Sequence, residues 1–211
     1  MNDTKGISIA VIRRLPRYYR YLGALLENNI TRISSTELSK RMDITASQIR
    51  QDLNNFGCFG QQGYGYNVEL LYDQIKKILG LDKVYNIIII GAGNIGQALV
   101  KSKSFEKRGF KFTAIFDTSP DLVGTTIRDI LVSDVKELEY FLQNNHVDIA
   151  VISLPSNNVH SIIRILKKSD IKGIWNFSPL DIEVSPNIAV ENVHLTDSLM
   201  TLSYRINERN R

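Results

Sequence analysis

The sequence predicts an α/β protein made of a small helical N-terminal domain, a doubly wound parallel sheet and a C-terminal helix. Three observations support this prediction. The surplus of basic residues is confined to the first 80 residues, where amphipathic segments are joined by turns. An apolar run at 84–90 leads into a glycine-rich loop. Beyond it, predicted strands and helices alternate, as they do in parallel sheets covered on both faces.

Composition excludes several classes of protein. The 211 residues are 43% hydrophobic, which is enough to bury a core in one or two domains. A single cysteine, Cys58, rules out an internal disulfide framework, and we expect it to fill space rather than act as a thiol switch. The first 17 residues lack the apolar segment of a secretory signal, and no apolar run approaches the ~20 residues of a membrane span. We therefore expect a soluble cytoplasmic protein with no membrane partner.

The positive charge lies at one end of the chain. Residues 1–80 hold 11 Lys and Arg against 7 Asp and Glu, whereas residues 81–211 hold 15 of each. This distribution is typical of a polyanion-binding module joined to a neutral one. The alternative from charge alone is a solvated basic helix face.

The first predicted helix spans about residues 7–28, with apolar residues at steps of three and four. Pro16 lies inside it and removes a backbone donor. We therefore expect the helix to start near Leu15 or to bend there, with residues 7–14 as a separate turn.

A helix-turn-helix pattern follows. We expect Ser35 to cap a short helix that ends at Lys40 or Arg41, and Thr45 or Ser47 to cap a second helix over residues 47–56. In that second helix Ile49, Leu53 and Phe56 face inward, so the polar positions face outward as in a recognition helix. An Arg side chain can form two hydrogen bonds with the edge of guanine, and a Gln side chain can form two with the edge of adenine. The predicted DNA contacts of this helix are Ser47, Gln48, Arg50, Gln51 and Asn54.

Glycines alternate with aromatic residues after this helix, which predicts a β-hairpin over residues 59–66. A further helix with Val68, Leu71, Ile75 and Leu79 inward completes a winged helix-turn-helix. The alternative is a helical oligomerisation module, but the basic charge coincides with the motif and favours DNA. The predicted wing contacts are Gln61, Gln62 and Tyr64.

The loop GAGNIG at 91–96 matches G-x-G-x-x-G between the strand at 84–90 and a predicted helix over 97–105. Gly91 permits the tight turn, Gly93 lets a pyrophosphate approach the backbone, and Gly96 permits close helix–strand packing. The next strand ends at Asp117, which is placed to accept bonds from the ribose hydroxyls and to repel a 2′-phosphate. The cofactor prediction is therefore NAD(H), with FAD and CoA left open. The predicted loop residues are Gly91, Ala92, Gly93, Asn94, Ile95 and Gly96.

The strand–helix alternation continues to about residue 177. We predict a helix over 135–145 capped by Asp134 or Ser133, a strand over 148–154, a helix over 159–170 and a strand over 173–177. Ligands of such Rossmann-type sheets lie at the carboxyl ends of the strands. The alternative is that the residues after these strands are ordinary turn residues that bind no ligand. The residues expected on the nicotinamide side are Ser153, Leu154, Pro155, Asn176, Phe177, Ser178 and Pro179.

No catalytic constellation is evident. If the nucleotide fold takes residues 81 to about 190, only about twenty residues remain, too few for a substrate domain. His146, His160 and His194 lie in different segments, and no metal-ligand cluster or nucleophile–base pair is apparent. We therefore expect a protein that is not an enzyme. The alternatives are a small NAD-dependent oxidoreductase with an accessory helical domain and a nucleotide-binding interaction protein that does not bind DNA.

The last segment, 196–210, has the spacing of a helix with an apolar stripe on one face. That stripe must pack either on a partner subunit or on the chain's own sheet.

The whole chain resembles the Rex family of redox-sensing transcriptional repressors. The resemblance rests on SSTELSKRMDITASQIRQDLNNFG, GQQGYGYNVELL, IIIIGAGNIGQAL, FEKRGF, AIFDTSPDLVG, IKGIWNFSP and TLSY. It implies a homodimer with winged-helix domains (1–80), Rossmann domains that bind NAD(H) (81–192) and a domain-swapped C-terminal dimerisation helix (193–211). It also implies repression of fermentation and anaerobic respiration genes from a palindromic operator, with release on NADH binding. By this resemblance, Arg50 would contact a base. The pyrophosphate would be held by the loop with Gly91, Gly93 and Gly96, and Asp117 would accept hydrogen bonds from the ribose hydroxyls.

This chain departs from the family pattern at three places. Gln61 and Gln62 stand where the wing usually carries Lys or Arg, which predicts weaker minor-groove attraction and a shallower salt dependence. Ser102 replaces a tyrosine and His194 replaces an aspartate. In relatives those two residues act with an arginine matching Arg20 to couple the nicotinamide state to domain orientation. That coupling is expected to be weaker here or to use other residues.

Overall fold

The computed structural model describes residues 7–57, 60–61 and 64–209. The chain divides into two compact units, Met1–Lys83 and Val84–Arg211. The unit boundary lies three residues beyond the predicted one at residue 80. The predictions for Cys58 and Gln62 concern residues outside the described part of the chain, and for Gln61 only the backbone is described.

The N-terminal unit is a winged helix-turn-helix, as predicted. Its helices are α1 (Ile9–Glu27), α2 (Ser35–Met42), α3 (Ala46–Asn54) and α4 (Val68–Ile78), and its strands are β1 (Arg32–Ile33), β2 (Gly60–Gln61) and β3 (Gly65–Asn67). The strands form an antiparallel sheet in the order β1-β3-β2. The sequence pattern did not indicate β1, which has only two residues. The core between the helices includes Tyr18, Leu22, Leu38, Ile49 and Leu71.

Helix α1 runs unbroken past Pro16, so the predicted start near Leu15 and the separate turn over 7–14 are wrong. Val11 and Leu15 are both buried and hold the first turns of the helix to the core. Pro16 itself is exposed. The carbonyl left without its helical donor belongs to Ile12, a residue that is also exposed. Packing on the two sides of Pro16 therefore outweighs the local cost of the proline.

The two helices of the helix-turn-helix start at defined caps. Ser34, and not Ser35 as expected, caps α2: its hydroxyl accepts from the Glu37 N–H, and the Glu37 carboxylate accepts from the Ser34 N–H. Thr45 caps α3, which confirms one of the two predicted alternatives. Asp43 ends α2 in the left-handed conformation and forms the turn.

The second unit is the predicted doubly wound sheet. Six parallel strands follow the order β7-β5-β4-β8-β9-β10, and β6 pairs antiparallel with β7 at one edge. This is the Rossmann order, with its switch point between β4 and β8. The elements are β4 (Tyr85–Ile90), α5 (Asn94–Lys101), β5 (Phe110–Asp117), β6 (Thr126–Ile127), β7 (Ile130–Asp134), α6 (Leu138–Asn144), β8 (Ile149–Ile152), α7 (Ser156–Leu166), β9 (Gly173–Asn176), β10 (Ala189–Asn192) and α8 (Leu195–Arg209).

Several predicted boundaries in this unit are wrong. Helix α5 ends at Lys101 rather than at Phe105, because the Phe105 ring packs edge-on against Phe112 and Trp175, with ring centroids 5.8 Å apart in both pairs. The predicted start at residue 135 and the Asp134 cap are confirmed, but the first turn (Val135–Glu137) is 3₁₀ and helix α6 proper begins at Leu138. Helix α7 begins three residues earlier than predicted. The strands β6, β7 and β10 were not predicted.

Helix α8 has no buried residue. Its exposed apolar side chains include Leu195, Leu199, Met200, Leu202, Tyr204 and Ile206. None of the helices in the described part of the chain combines the length and apolar character needed to cross a membrane.

Candidate nucleotide site and nucleic-acid interface

The glycine loop lies at the switch point of the sheet. The loops after β4 and β8 are joined there by two hydrogen bonds: the Ser153 N–H donates to the Ile90 carbonyl (2.9 Å), and the Ser153 hydroxyl donates to the Gly91 carbonyl (2.7 Å). Ligands of open α/β sheets occupy the crevice at this point. The structure therefore brings the predicted pyrophosphate loop and the predicted residues after β8 to one edge of the sheet.

The three glycines of the loop have different surroundings. Gly91 has φ +110°, and a Cβ added there would lie 2.5 Å from the Ser153 carbonyl oxygen. A Cβ at Gly96 would lie 2.0 Å from the Gly91 carbonyl oxygen. A Cβ at Gly93 would meet no described atom within 4 Å. The protein itself thus requires Gly91 and Gly96, whereas the space in front of Gly93 is open to a ligand.

Two helices begin at this edge without a side-chain cap among the described residues. Helix α5 starts at Asn94, and its first intrahelical bond runs from the Gln97 N–H to the Gly93 carbonyl (2.9 Å). The N–H groups before Gln97, including those of Ile95 and Gly96, precede that bond and are the donors with which a helix N-terminus binds an anion. Helix α7 starts after Pro155 and is likewise uncapped.

Asp117 ends β5 beside the loop and is 7% exposed. One carboxylate oxygen accepts from the Ala92 N–H (2.5 Å) and the other from the Ser119 N–H (2.8 Å). Asp117 therefore fixes the glycine loop, a role that sequence reasoning missed. Each carboxylate oxygen can accept more than one bond, so capacity for ribose hydroxyls is left.

The residues at the end of β9 and just after it are held by hydrogen bonds and ring packing. Ser178 is buried, and its N–H donates to the side chain of Asn176, which is itself fully buried. The Asn176 amide also donates to Asn192 Oδ1 (2.8 Å) and so ties β9 to β10. Pro179 is exposed, and the Phe177 ring packs against Trp175 with centroids 4.6 Å apart. Their predicted contact with the nicotinamide stays a prediction, as does that of buried Leu154 and exposed Pro155.

The two residues that depart from the family pattern have local partners. Ser102 is the C-cap of α5, and its Oγ lies 2.8 Å from Ser104 Oγ. His194 follows β10, and its Nε2 lies 2.9 Å from a carboxylate oxygen of Asp181. This hydrogen bond raises the pKa of His194 above its ordinary value.

The exposed face of α3 carries four of the five predicted base-reading residues: Ser47, Arg50, Gln51 and Asn54. The Arg50 guanidinium donates to Ser35 Oγ (2.9 Å) at the start of α2. Gln48 differs from the expected outward position. It is half-buried, and its amide donates to Asp52 Oδ1 (2.8 Å).

Asp52 is the feature of this unit that sequence reasoning missed. It is fully buried in α3 and accepts two bonds from the Arg14 guanidinium, at 2.6 and 2.8 Å, and one from the Tyr18 hydroxyl at 2.9 Å. Burial alone would raise the pKa of Asp52, but the bonds from Arg14, Gln48 and Tyr18 outweigh it and hold that pKa below its ordinary value. Burial also raises the pKa of Tyr18. The available signal was helical spacing, since Asp52 follows inward-facing Ile49 by three residues.

The Asp52 cluster joins α1 to the predicted recognition helix. A bidentate guanidinium–carboxylate pair fixes orientation as well as distance. The cluster therefore holds α3 at a fixed rotation on α1, with Arg50 and Gln51 on the exposed face.

Comparisons with known proteins agree with this architecture. A family model described as "CoA binding domain" matches residues 82–180, and one described as "Putative DNA-binding protein N-terminus" matches residues 6–54. The redox-sensing transcriptional repressor Rex of Caldanaerobacter subterraneus subsp. tengcongensis is 61% identical over 208 residues, covering 99% of this chain and 93% of the relative. Rex of Clostridium botulinum is 57% identical and covers 99% of both chains.

Solved structures give the same result. The crystal structure of RSP in complex with β-NAD+ and operator DNA is 58% identical, with a TM-score of 0.90 over 97% of this chain and 94% of that one. The structure of RSP in complex with β-NADH is 55% identical, with a TM-score of 0.89 over 97% and 96% of the two chains.

Proposed function

The chain belongs to the Rex family of redox-sensing transcriptional repressors, and we propose that NADH binding at its switch point releases it from a palindromic operator. It is a DNA-binding regulator and not an enzyme, and the oxidoreductase alternative is not favoured. We propose that it acts in the cytoplasm, the compartment in which repressors of bacteria such as those of the named relatives reach their operators.

The observation that carries the proposal is the open approach at Gly93 in front of the uncapped start of α5. A pyrophosphate there would accept from the N–H groups of Asn94, Ile95 and Gly96. The Asp117 carboxylate beside the loop would accept ribose hydroxyls and repel a phosphate on that ribose. NADP carries such a phosphate on the 2′ oxygen and CoA carries one on the 3′ oxygen. This favours NAD(H) over NADP(H) and CoA, whereas FAD carries no such phosphate and is not separated from NAD(H) by Asp117. The RSP structures with NAD+ and with NADH support NAD(H) over FAD.

The DNA side of the proposal rests on the exposed face of α3. Arg50 and Gln51 are the side chains assigned to base edges, with Ser47 and Asn54 beside them. A palindromic operator has two half-sites related by a two-fold axis, so its partner is a dimer. The uncovered apolar side chains of α8 supply a surface for that dimer, in which α8 would be exchanged between subunits.

Sensing requires different affinities for the two redox states. The oxidised nicotinamide ring is a cation and the reduced ring is neutral, so apolar surroundings favour the reduced form. Leu154, Pro155 and Phe177, which follow β8 and β9, would supply such surroundings. The reduced cofactor would then favour a dimer whose two recognition helices no longer fit both half-sites. RSP crystallises with NAD+ and operator DNA together, which supports a DNA-compatible oxidised state.

The test is a titration of NADH and of NAD+ into the complex of this chain with the operator duplex of RSP, followed by fluorescence anisotropy. NADH should release the DNA and NAD+ should not. Arg50→Ala should weaken operator binding without NADH by ~1–3 kcal/mol for each half-site, because one base contact is lost in each. Full retention of the duplex at saturating NADH would contradict the sensing proposal. An unchanged affinity of Arg50→Ala would remove Arg50 from the interface.

A further inference from the structure

The wing of this chain carries no positive charge of its own. Residues 57–67 contain neither Lys nor Arg. Affinity for DNA comes largely from cations placed at phosphates. Any cationic contact between this wing and a DNA phosphate therefore requires a residue from another element.

The three-stranded sheet of the N-terminal unit places such a cation beside the wing. Strand β1 pairs antiparallel with β3, with Arg32 opposite Asn67 and Ile33 opposite Tyr66. The Arg32 guanidinium lies over the Tyr64 ring, with Cζ 6.0 Å from the centroid, and Nη1 donates to the Tyr64 carbonyl (3.3 Å). The structure thus joins a basic residue from outside the wing to an aromatic residue at its end.

A glycine next to Tyr64 makes this contact possible. Gly65 has φ +70°, and a Cβ there would lie 2.7 Å from the Ile33 carbonyl oxygen. The left-handed turn lets the backbone of β3 approach β1 this closely. The close approach brings the Tyr64 carbonyl and ring to Arg32.

The guanidinium of Arg32 is free to bind an anion. Its side chain is exposed, and Tyr64 is 69% exposed. In the described residues no carboxylate forms an ion pair with Arg32, whereas Arg14 and Arg128 each have a carboxylate partner at 2.6 Å. One N–H of Arg32 is used by the Tyr64 carbonyl, and a guanidinium has five.

We infer that Arg32, held in place by Tyr64, is the DNA-phosphate contact of this wing. Tyr64 is then a positioning residue, because it acts through Arg32. The inference rests on the proposed function and adds to it a contact on β1, an element that the sequence did not predict.

The experiment compares Arg32→Ala with the wild-type chain on the RSP operator duplex and on a scrambled duplex of equal length and composition. Affinities are measured from 50 to 200 mM salt. Each lost phosphate contact makes the slope of log K against log[salt] shallower by about 0.9, so a dimer with two Arg32 residues should change by roughly 2. The affinity for both duplexes should fall by a similar factor, because phosphates carry no sequence information.

Three further variants give the comparison its controls. Lys77→Ala removes an exposed charge from α4 and should keep the wild-type slope. Arg32→Gln keeps a polar side chain and should match Arg32→Ala, which guards against a folding defect in the alanine variant. Tyr64→Ala should weaken binding less than Arg32→Ala, and the double variant should bind no more weakly than Arg32→Ala alone.

Wild-type affinity and salt slope in folded Arg32→Ala and Arg32→Gln would overturn the inference. A loss confined to the operator duplex would also overturn it, because it would indicate base reading rather than phosphate contact. The proposed function has a separate outcome: it fails if the wild-type chain does not prefer the operator to the scrambled duplex. The change caused by Arg32→Ala on the scrambled duplex is then still measurable.

Discussion

The two units differ in how their helices begin. In the described residues of the N-terminal unit, α1, α2, α3 and α4 each start at a side-chain cap, namely Ser8, Ser34, Thr45 and Asn67. In the second unit α5 and α7 start at the switch point of the sheet with no side-chain cap from the described residues. In the DNA-binding unit a side chain thus accepts a backbone N–H at each of these helix starts. The other unit leaves donors open at the edge assigned to the cofactor.

Two buried carboxylates, Asp52 and Asp117, show a parallel difference. Asp52 is held by side chains from two helices, and it fixes one helix on another. Asp117 is held by two backbone N–H groups, and it fixes a loop beside open space. The first arrangement fixes α3, the predicted recognition helix, on α1, and the second fixes the predicted pyrophosphate loop.

The largest expected effect comes from Gly96→Ala. The new Cβ would lie 2.0 Å from the Gly91 carbonyl oxygen, and that carbonyl is already held by the Ser153 hydroxyl. The cost should exceed the ~1–3 kcal/mol usual for overpacking, because a backbone atom must move. Thermal unfolding followed by the fluorescence of Trp175, the single tryptophan, reports on this unit. An unchanged unfolding temperature would show that the loop is not packed as described.

Asp52→Ala should have the next largest effect, confined to the N-terminal unit. It leaves the Arg14 guanidinium without its carboxylate, and breaking a buried pair costs ~3 kcal/mol, at the lower end because Arg14 is partly exposed. Circular dichroism should show early loss of helix while Trp175 fluorescence stays native. Asp73→Ala, an exposed acid on α4, is the matched control. Equal stability of the two variants would contradict the assigned role.

The same cluster predicts a pH dependence. The pKa of Asp52 is lower in the folded chain than its ordinary value of 3.8, so its contribution to stability is present above that value. The contribution is lost as pH falls through the folded value. Wild-type chain should therefore lose N-terminal helix below about pH 4, and Asp52→Asn should lack that part of the acid sensitivity. Equal loss of N-terminal helix in the wild-type chain and in Asp52→Asn over the same acid range would contradict this prediction.

Asp181→Asn should have the smallest effect. The bond to Asp181 raises the pKa of His194, so its contribution to stability is present below the ordinary value of 6.5 and is lost as pH rises through the folded value. The variant should lower the titration midpoint of His194 measured by NMR and leave the unfolding temperature almost unchanged. If the midpoint does not move, the contact with Asp181 does not set that pKa.

The features predictable from sequence are those with a local signal. Short sequence patterns contain the loop with Gly91, Gly93 and Gly96, the acid Asp117 and the helix cap Thr45. In each pattern a single physical requirement explains the residue type. The pair of Arg14 and Asp52 spans 38 residues, so no local pattern contains it.

In the turn between β6 and β7, Arg128 and Asp129 both adopt positive φ, the conformation in which glycine is usual. The sequence therefore carries no turn signal there. Helix α1 crosses Pro16 because its packing outweighs a local rule. In each of these cases the deciding contacts are made only in the folded chain.

Gly93→Ala tests the central claim most directly, because the protein itself does not need a glycine there. The added methyl group should leave the unfolding temperature and the operator affinity without NADH close to wild type. The same methyl group should occupy the space in front of α5 that a pyrophosphate needs. In the NADH titration the wild-type chain should leave the operator and the variant should stay bound. Release of Gly93→Ala at the same NADH concentration as the wild type would contradict the account.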